Sequence, residues 1–256
     1  MTWVALLLTI VAAGGIIYWL LVLSEGAYLG REVVVALYDW SAAKYDAVKG
    51  VLAYEDGAHL ARPLLEALQR APSPRSRDPI EGERSTGGEA TPLVLDVATG
   101  TGRLPLALLR QFDFRGRVVG LDASRRMLAI AQSKMCMHRQ KIAWIREDAA
   151  ALPFQGSTFH AVTCVEALEF LPNPGKAIAE MVRVLRPGGQ LLLSNRVGID
   201  ALFLPGRAYR PTVLEQKLVA LGLTHVRTRR WQTHYDLIEG CKPGEEQRGR
   251  NNESIS

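Results

Sequence analysis

The sequence predicts an α/β fold: a mostly parallel, seven-stranded sheet with helices on both faces, preceded by an N-terminal transmembrane helix. Three observations carry that expectation. From Thr91 onward, short apolar runs alternate with stretches of helical spacing, the pattern of strands joined through helices that cover both faces of a sheet. One of these runs, Leu93-Val94-Leu95-Asp96-Val97, passes through Ala98-Thr99-Gly100-Thr101-Gly102 into the apolar stretch Arg103–Leu109. That is a buried strand feeding a tight glycine turn and a helix, the layout by which an open sheet brings its backbone against a nucleotide. Finally, Thr2 to Leu23 contains no charged residue.

That N-terminal run, at ~1.5 Å per residue, reaches about 33 Å and so matches a bilayer core. Trp3 near one end, and Tyr18 and Trp19 near the other, suit the two interfaces. No Lys or Arg precedes the run, and it is too long for a secretory signal peptide. Few soluble helices are apolar all round over this length. Residues 1–24 are therefore expected to be a single-pass anchor. Arg31, Lys44 and Lys49 follow it, which places the large domain on the cytoplasmic side.

Residues 25–70 read as helices. Val34, Val35, Leu37, Tyr38, Ala42, Tyr45 and Val48 mark one over Arg31–Gly50, and a second runs from about Ala58 to Arg70. Residues 71–90, rich in Pro, Gly, Ser and charge, are expected to be a flexible loop. The core spans 91–242. Strands are expected at Leu93–Val97, Arg117–Asp122, Ile142–Arg146, Phe159–Val165 and Gln190–Asn195, with a weaker pair at Thr224–Trp231 and His234–Glu239. Helices are expected near Gly102–Gln111, Ser124–Met137, Pro174–Val184 and Pro211–Leu221. Arg186-Pro187-Gly188-Gly189 reads as a turn between helix and strand. The tail 243–256 is polar and expected to be disordered.

The chain has 256 residues, 48% hydrophobic and 22% charged, enough for a full core and too apolar for wholesale disorder. Its net charge of +5 comes without zinc-finger, helix-turn-helix or basic-aromatic patterns, so no nucleic-acid partner is expected. Cys136, Cys164 and Cys241 lack paired spacing and fit free thiols; no metal site is expected.

Ligands of open α/β sheets bind beyond the carboxyl ends of the strands. Asp96, Asp122, Asp148, Glu166 and Asn195 all fall at or just past predicted strand ends and so line one crevice, whereas His160 starts its strand on the far side. Asp122 ends its strand where an acid can accept hydrogen bonds from ribose hydroxyls. A dinucleotide fingerprint would need a third glycine where Pro105 stands, and no Gly-Lys-Ser/Thr is present for a phosphate loop. An acid entering the glycine turn suits a cofactor with a positive charge or amine better than one with phosphates.

Leu95-Asp96-Val97-Ala98-Thr99-Gly100-Thr101-Gly102 resembles the first motif of class I S-adenosylmethionine-dependent methyltransferases. Val119-Gly120-Leu121-Asp122-Ala123-Ser124 resembles their second, Glu147-Asp148-Ala149 with Leu152-Pro153-Phe154 the adenine-holding segment, and Val184-Leu185-Arg186-Pro187-Gly188-Gly189 the turn before the fifth strand. Within the class the sequence is most similar to the ubiquinone/menaquinone-biosynthesis C-methyltransferases. Tyr38-Asp39 and Tyr45-Asp46 resemble that group's N-terminal helix, and Tyr235-Asp236-Leu237-Ile238 its closing strand.

The resemblance implies a Rossmann-like fold and S-adenosyl-L-methionine as cofactor. By it, Gly100 and Gly102 pack against the cofactor, Asp96 lies near its amine end, Asp122 binds the ribose hydroxyls, and Ala123 is a further cofactor-binding residue. Asp148 and Ala149 meet the adenine, Ala98, Thr99 and Val165 complete the wall, and Tyr45 covers the site. Ala98 and Thr99 replace the Gly-Cys or Gly-Ser of many relatives. Glu166, Glu169, His234 and Tyr235 are candidates for a base or for orienting the acceptor. Each also has an ordinary reading: the two glutamates as helix caps or solvated groups, Tyr235 as core. The expectation is a membrane-anchored methyltransferase of a lipophilic small molecule: a quinone precursor, a phospholipid or another lipid. The alternatives are a non-catalytic scaffold built on the cofactor fold, which the intact acids argue against, and an NAD-dependent oxidoreductase, which Pro105 argues against.

Overall fold

The computed structural model describes residues 2–48, 53–70 and 91–244. The predicted loop 71–90 and the tail beyond 244 lie outside the described residues. Helix α1 (Thr2–Tyr18) runs directly into a wider π-helical turn, Trp19–Leu23. The span Trp3–Leu23 has a mean hydropathy of 2.5, and none of it is buried against the rest of the protein. The chain then reverses over Ser24 to Gly30, with the Ser24 hydroxyl donating to the Leu20 carbonyl at 3.0 Å and Gly26 at φ 75°.

The single helix expected over Arg31–Gly50 is broken. It forms as α2 (Arg31–Ser41), a 3-10 turn (Ala42–Lys44) and α3 (Tyr45–Val48), with Gly50 outside the described residues. Ser41 donates back to the Tyr38 carbonyl at 3.4 Å, the kind of local bond that competes with the helical ladder and tightens the turn. The second helical stretch begins earlier than expected, as α4 (Ala53–Asp56), a π-turn (Gly57–Ala61) and α5 (Arg62–Arg70).

The sheet holds β1 (Leu93–Val97), β2 (Arg117–Asp122), β3 (Ile142–Arg146), β4 (Phe159–Cys164), β5 (Leu185–Arg196), β6 (Thr224–Arg230) and β7 (Tyr235–Cys241). Its order is β3-β2-β1-β4-β5-β7-β6, parallel except for β7, which runs antiparallel to both neighbours. The connecting helices are α6 (Arg103–Leu109), α7 (Arg125–Lys134), α8 (Pro174–Val184) and α9 (Pro211–Ala220). Alternate strand residues face opposite layers, so Leu95, Val162 and Leu193 join one core while Val94, Ala161 and Leu192 join the other. Strands buried on both faces must be apolar at nearly every position, which is why β1 reads as a continuous run. Ser124 caps α7 by accepting from Met127 N at 3.0 Å, and Asn173 caps α8 ahead of Pro174 by accepting from Lys176 N at 3.0 Å.

The predicted turn Arg186–Gly189 is instead an irregular start to β5. Between Phe159↔Leu185 and Ala161↔Gln190, β4 advances two residues while β5 advances five, and Gly188 absorbs the bend at φ 76°. The strand order reverses between β1 and β4, so the crevice of the fold opens above their carboxyl ends.

Candidate active site

The turn leaving β1 is left-handed at three positions: Ala98 (φ 53°), Gly100 (φ 54°) and Gly102 (φ 79°). Ala98 holds this conformation at a cost of about 1–2 kcal/mol. The bond from Thr99 N to the Leu121 carbonyl at 2.9 Å and the Thr99 hydroxyl on Asp96 at 2.6 Å offset it. The two glycines have different reasons to be glycine. A Cβ on Gly100 would meet no protein atom within 4 Å and would stand in the open cleft. A Cβ on Gly102 would run into the Met135 side chain and come within 3.1 Å of Ala131 Cβ. Gly102 does not line the cleft. Its absent side chain lets α7 pack, rather than leaving room for a cofactor as expected.

Among the described residues, five carboxylates line the cleft, and three of them, Asp96, Asp122 and Asp148, are the aspartates expected at or just past strand ends. Asp96 is 3% exposed and accepts the Thr99 and Thr163 hydroxyls, each at 2.6 Å; burial nevertheless pushes its pKa up to about 6. Asp122 accepts Gly100 N at 2.7 Å and Ser124 N at 2.8 Å, and burial raises it too, against those two bonds. Asp148 lies nearer solvent. One oxygen accepts Ala150 N at 2.8 Å, and the other faces Arg31 Nε at 3.2 Å across the mouth.

The cleft encloses about 1030 Å³, mouth included. Asp96, Ala98, Thr99 and Gly100 line it from the β1 turn, and Asp122 and Ala123 from the end of β2. Asp148, Ala149, Val165 and Tyr45 complete the group, so the structure brings together every expected cofactor residue except Gly102. Helices α2 and α3 roof the cleft, with Arg31, Val34, Val35 and Tyr38 facing in. Their acids tie the roof down: Asp39 accepts the Ser124 hydroxyl and Arg126 N, while Asp46 accepts the Thr101 hydroxyl at 2.6 Å and pairs with Lys134.

Of the four candidates for chemistry, only Glu166 lines the cleft. It is 8% exposed, sits at φ 53°, and binds Arg103 Nη1 at 2.5 Å. Arg103 also pairs with buried Asp56 at 2.7 Å. Burial alone would weaken its charge, but the two acids more than compensate and raise its pKa. Glu169 and Tyr235 lie outside the cleft in a buried cluster, where the Tyr235 hydroxyl donates to Glu169 at 2.6 Å and Arg196 donates to that hydroxyl at 3.0 Å. Burial raises both groups. His234 is half exposed, 2.9 Å from Asp200, and also outside the cleft. The reason is the antiparallel pairing Arg196↔Tyr235, which sets the start of β7 against Arg196 and Glu169 rather than over the cleft. His160 accepts Leu93 N at 3.1 Å, and burial lowers it to about 4, so it serves the strand as a neutral acceptor.

Sequence reasoning missed Arg31, Arg103 and Phe170, all of which face the cleft. Arg103 directly follows Gly102, but its buried partner Asp56 lies 47 positions away, a pairing that no local pattern marks.

Part of the chain is similar to known methyltransferase domains. Residues 94–189 match the family model described as a methyltransferase domain. The sequence is also similar to individual methyltransferases. It is 31% identical over 163 residues to the demethylmenaquinone methyltransferase of Lactiplantibacillus plantarum, covering 62% of this chain and 60% of the relative. It is 41% identical over 96 residues to the 2-phytyl-1,4-naphtoquinone methyltransferase of Thermosynechococcus vestitus, covering 38% and 42%. A solved putative methyltransferase from Bacillus halodurans shares the fold, with TM-score 0.52 and 21% identity over 71% of this chain and 99% of that one. The chain spans about three fifths of the length of the first curated relatives it matches.

Proposed function

We propose that this chain is a membrane-anchored methyltransferase that uses S-adenosyl-L-methionine to methylate a lipophilic acceptor of the quinone-precursor type. The observation that carries the reading is the cleft itself. Its left-handed turn leaves open space at Gly100, between buried Asp96 and half-buried Asp122, beneath a roof whose inner face is largely apolar. A nucleoside with an amino-acid tail fits that donor set. Asp122 would accept from the ribose hydroxyls, Asp148 and the Ala149 backbone would meet the adenine, and Asp96 would face the ammonium. Tyr45 would close the site.

When bound, the cofactor would supply a methyl group activated by its sulfonium, and the acceptor would have to give up a proton. The protein's part is alignment and exclusion of water. Val34, Val35, Phe170 and Leu171 form an apolar wall suited to a hydrocarbon-bearing ring. Glu166 is the one candidate carboxylate in reach of an acceptor proton, and Arg103 fixes its position.

The membrane part of the proposal rests on the apolar helix Trp3–Leu23, its exposed surface, and the quinone-ring relatives. Arg31 and Lys44 after the helix favour a cytoplasmic domain. The test is incubation of the full chain in phospholipid vesicles with methyl-labelled cofactor and a demethylated naphthoquinol, followed by mass spectrometry. Label in the vesicle-borne ring is the expected result. Label in water-soluble acceptors alone would overturn the lipophilic substrate. Absence of cofactor binding by calorimetry would favour the scaffold reading.

A further inference from the structure

The apolar helix does not end free of the domain. Trp19 Nε1 donates to the Phe203 carbonyl at 3.0 Å, and the Trp19 ring stacks on Tyr28 with centroids 5.0 Å apart. Tyr28 in turn donates to the Pro205 carbonyl at 2.7 Å. Arg207 clamps the same junction, donating at 2.6 Å both to the Ala27 carbonyl and to that of Leu171 in the cleft wall. The 3-10 turn Ile199–Phe203 is therefore held at the level where the helix meets the domain.

Among the described residues, that turn presents an exposed apolar surface. Ile199 is 69% exposed, Leu202 75% and Phe203 37%, side by side at the foot of the helix. Its acid, Asp200, is paired with Arg196 at 3.4 Å and with His234 at 2.9 Å, while Arg210 just beyond stands exposed. On the inner side, Leu204 is buried with Ala27 and Phe170, and Val34, Tyr38 and Ala208 pack around them. Phe170, Val34 and Tyr38 line the cleft. One small apolar cluster thus joins the exposed turn, the helix exit and the cleft wall.

We infer that the turn Ile199–Phe203 is a second membrane contact, pressing Ile199, Leu202 and Phe203 into the phospholipid interface beside the anchor and seating the cleft wall on the bilayer. The inference rests on the anchor reading above. If Trp3–Leu23 spans the bilayer, its Trp19 and Tyr28 end lies at the interface, where aromatic groups with one polar edge settle. The turn bonded to Trp19 then lies there too, and its side chains exchange water for acyl chains. The outward arginine and paired acid suit an anionic leaflet. A lipophilic acceptor could then pass from bilayer to cleft along the Phe170 side without crossing water.

The test uses the full chain carrying Cys136→Ser, with an environment-sensitive fluorophore attached through Leu202→Cys. A control carries it through Met137→Cys, an exposed position on the turn before β3, at the opposite end of the strands from the cleft. In vesicles of phosphatidylcholine and phosphatidylglycerol, the label at 202 is expected to shift to the blue and lose emission to nitroxide-bearing lipids, while the label at 137 does neither. A vesicle-bound chain whose two labels behave alike would overturn the inference and leave the anchor standing. So would a blue shift at 202 that lipid nitroxides do not quench and that grows with protein concentration, because a second copy would then cover the turn. A chain that fails to float with the vesicles would overturn the anchor reading and this inference together.

Discussion

Replacing Asp122 with Asn keeps the size of the side chain and removes its charge. In the free protein the carboxylate accepts Gly100 N at 2.7 Å and Ser124 N at 2.8 Å. The Asn oxygen can keep one of these, and its amide nitrogen then faces the other N–H, donor against donor. A bond to a charged acceptor is worth about 1.5–3 kcal/mol, but the buried charge that raises Asp122 is relieved at the same time. The expected net loss of stability is about 1–2 kcal/mol, a fall in Tm of about 2–8 °C for a domain of this size. Cofactor binding should suffer more, because the ribose hydroxyls lose a charged acceptor and the turn that Gly100 shapes is loosened. A loss of about 1.5–3 kcal/mol weakens binding about 10- to 150-fold. Calorimetric titration with S-adenosyl-L-methionine beside thermal denaturation of the free chain separates the two effects. A Kd within about threefold of the parent, with Tm lowered, would refute the ribose assignment and leave Asp122 as a loop brace only.

The remaining predictions concern charge, space and position. Asp96 must be ionised to hold an ammonium, so cofactor affinity should fall as pH drops through about 6 and lie flat above it, and Asp96→Asn should erase that inflection. For stability the sign is opposite: the folded carboxyl holds its proton more tightly than the unfolded one, so its contribution is fully present below about pH 4 and lost by about pH 6. Denaturant titrations across that window should show the parent losing stability with rising pH and the Asn variant losing less. Gly100→Ala should leave Tm within a few degrees, at a left-handed cost of about 1–2 kcal/mol, yet abolish cofactor binding, since its Cβ enters the cleft. Gly102→Ala should lower Tm more than Gly100→Ala, because at φ 79° its Cβ comes within 3.1 Å of Ala131 Cβ and 3.2 Å of the Trp144 ring besides displacing the flexible end of Met135. Tyr235→Phe strips Glu169 of its 2.6 Å donor and should cost about 1–3 kcal/mol in denaturant unfolding, with methyl transfer retained because neither residue lines the cleft. A collapse of turnover without a loss of stability would return Tyr235 to the chemistry.

The residues that line the cleft were legible in the chain because the pattern that gathers them is local. A left-handed turn needs residues such as Gly100, an apolar run ending in Asp96 or Asp122 marks a strand end, and strand ends share one side of a parallel sheet. The apolar span was legible for the same reason, since composition over consecutive residues is all it requires. What only the tertiary structure decided depends on pairs far apart in sequence. Gly102 serves packing because α7 brings Met135 against it, and Glu166 is held because Arg103 reaches both it and Asp56. Tyr235 and His234 fall outside the cleft because β7 pairs antiparallel with β5, a register that no local pattern encodes. The contact between Trp19 and the Phe203 carbonyl, 184 positions apart, is of the same kind. Local chemistry determined where a cleft could open, and long-range packing decided that the helix exit, the 199–207 segment and the cleft wall share one apolar cluster.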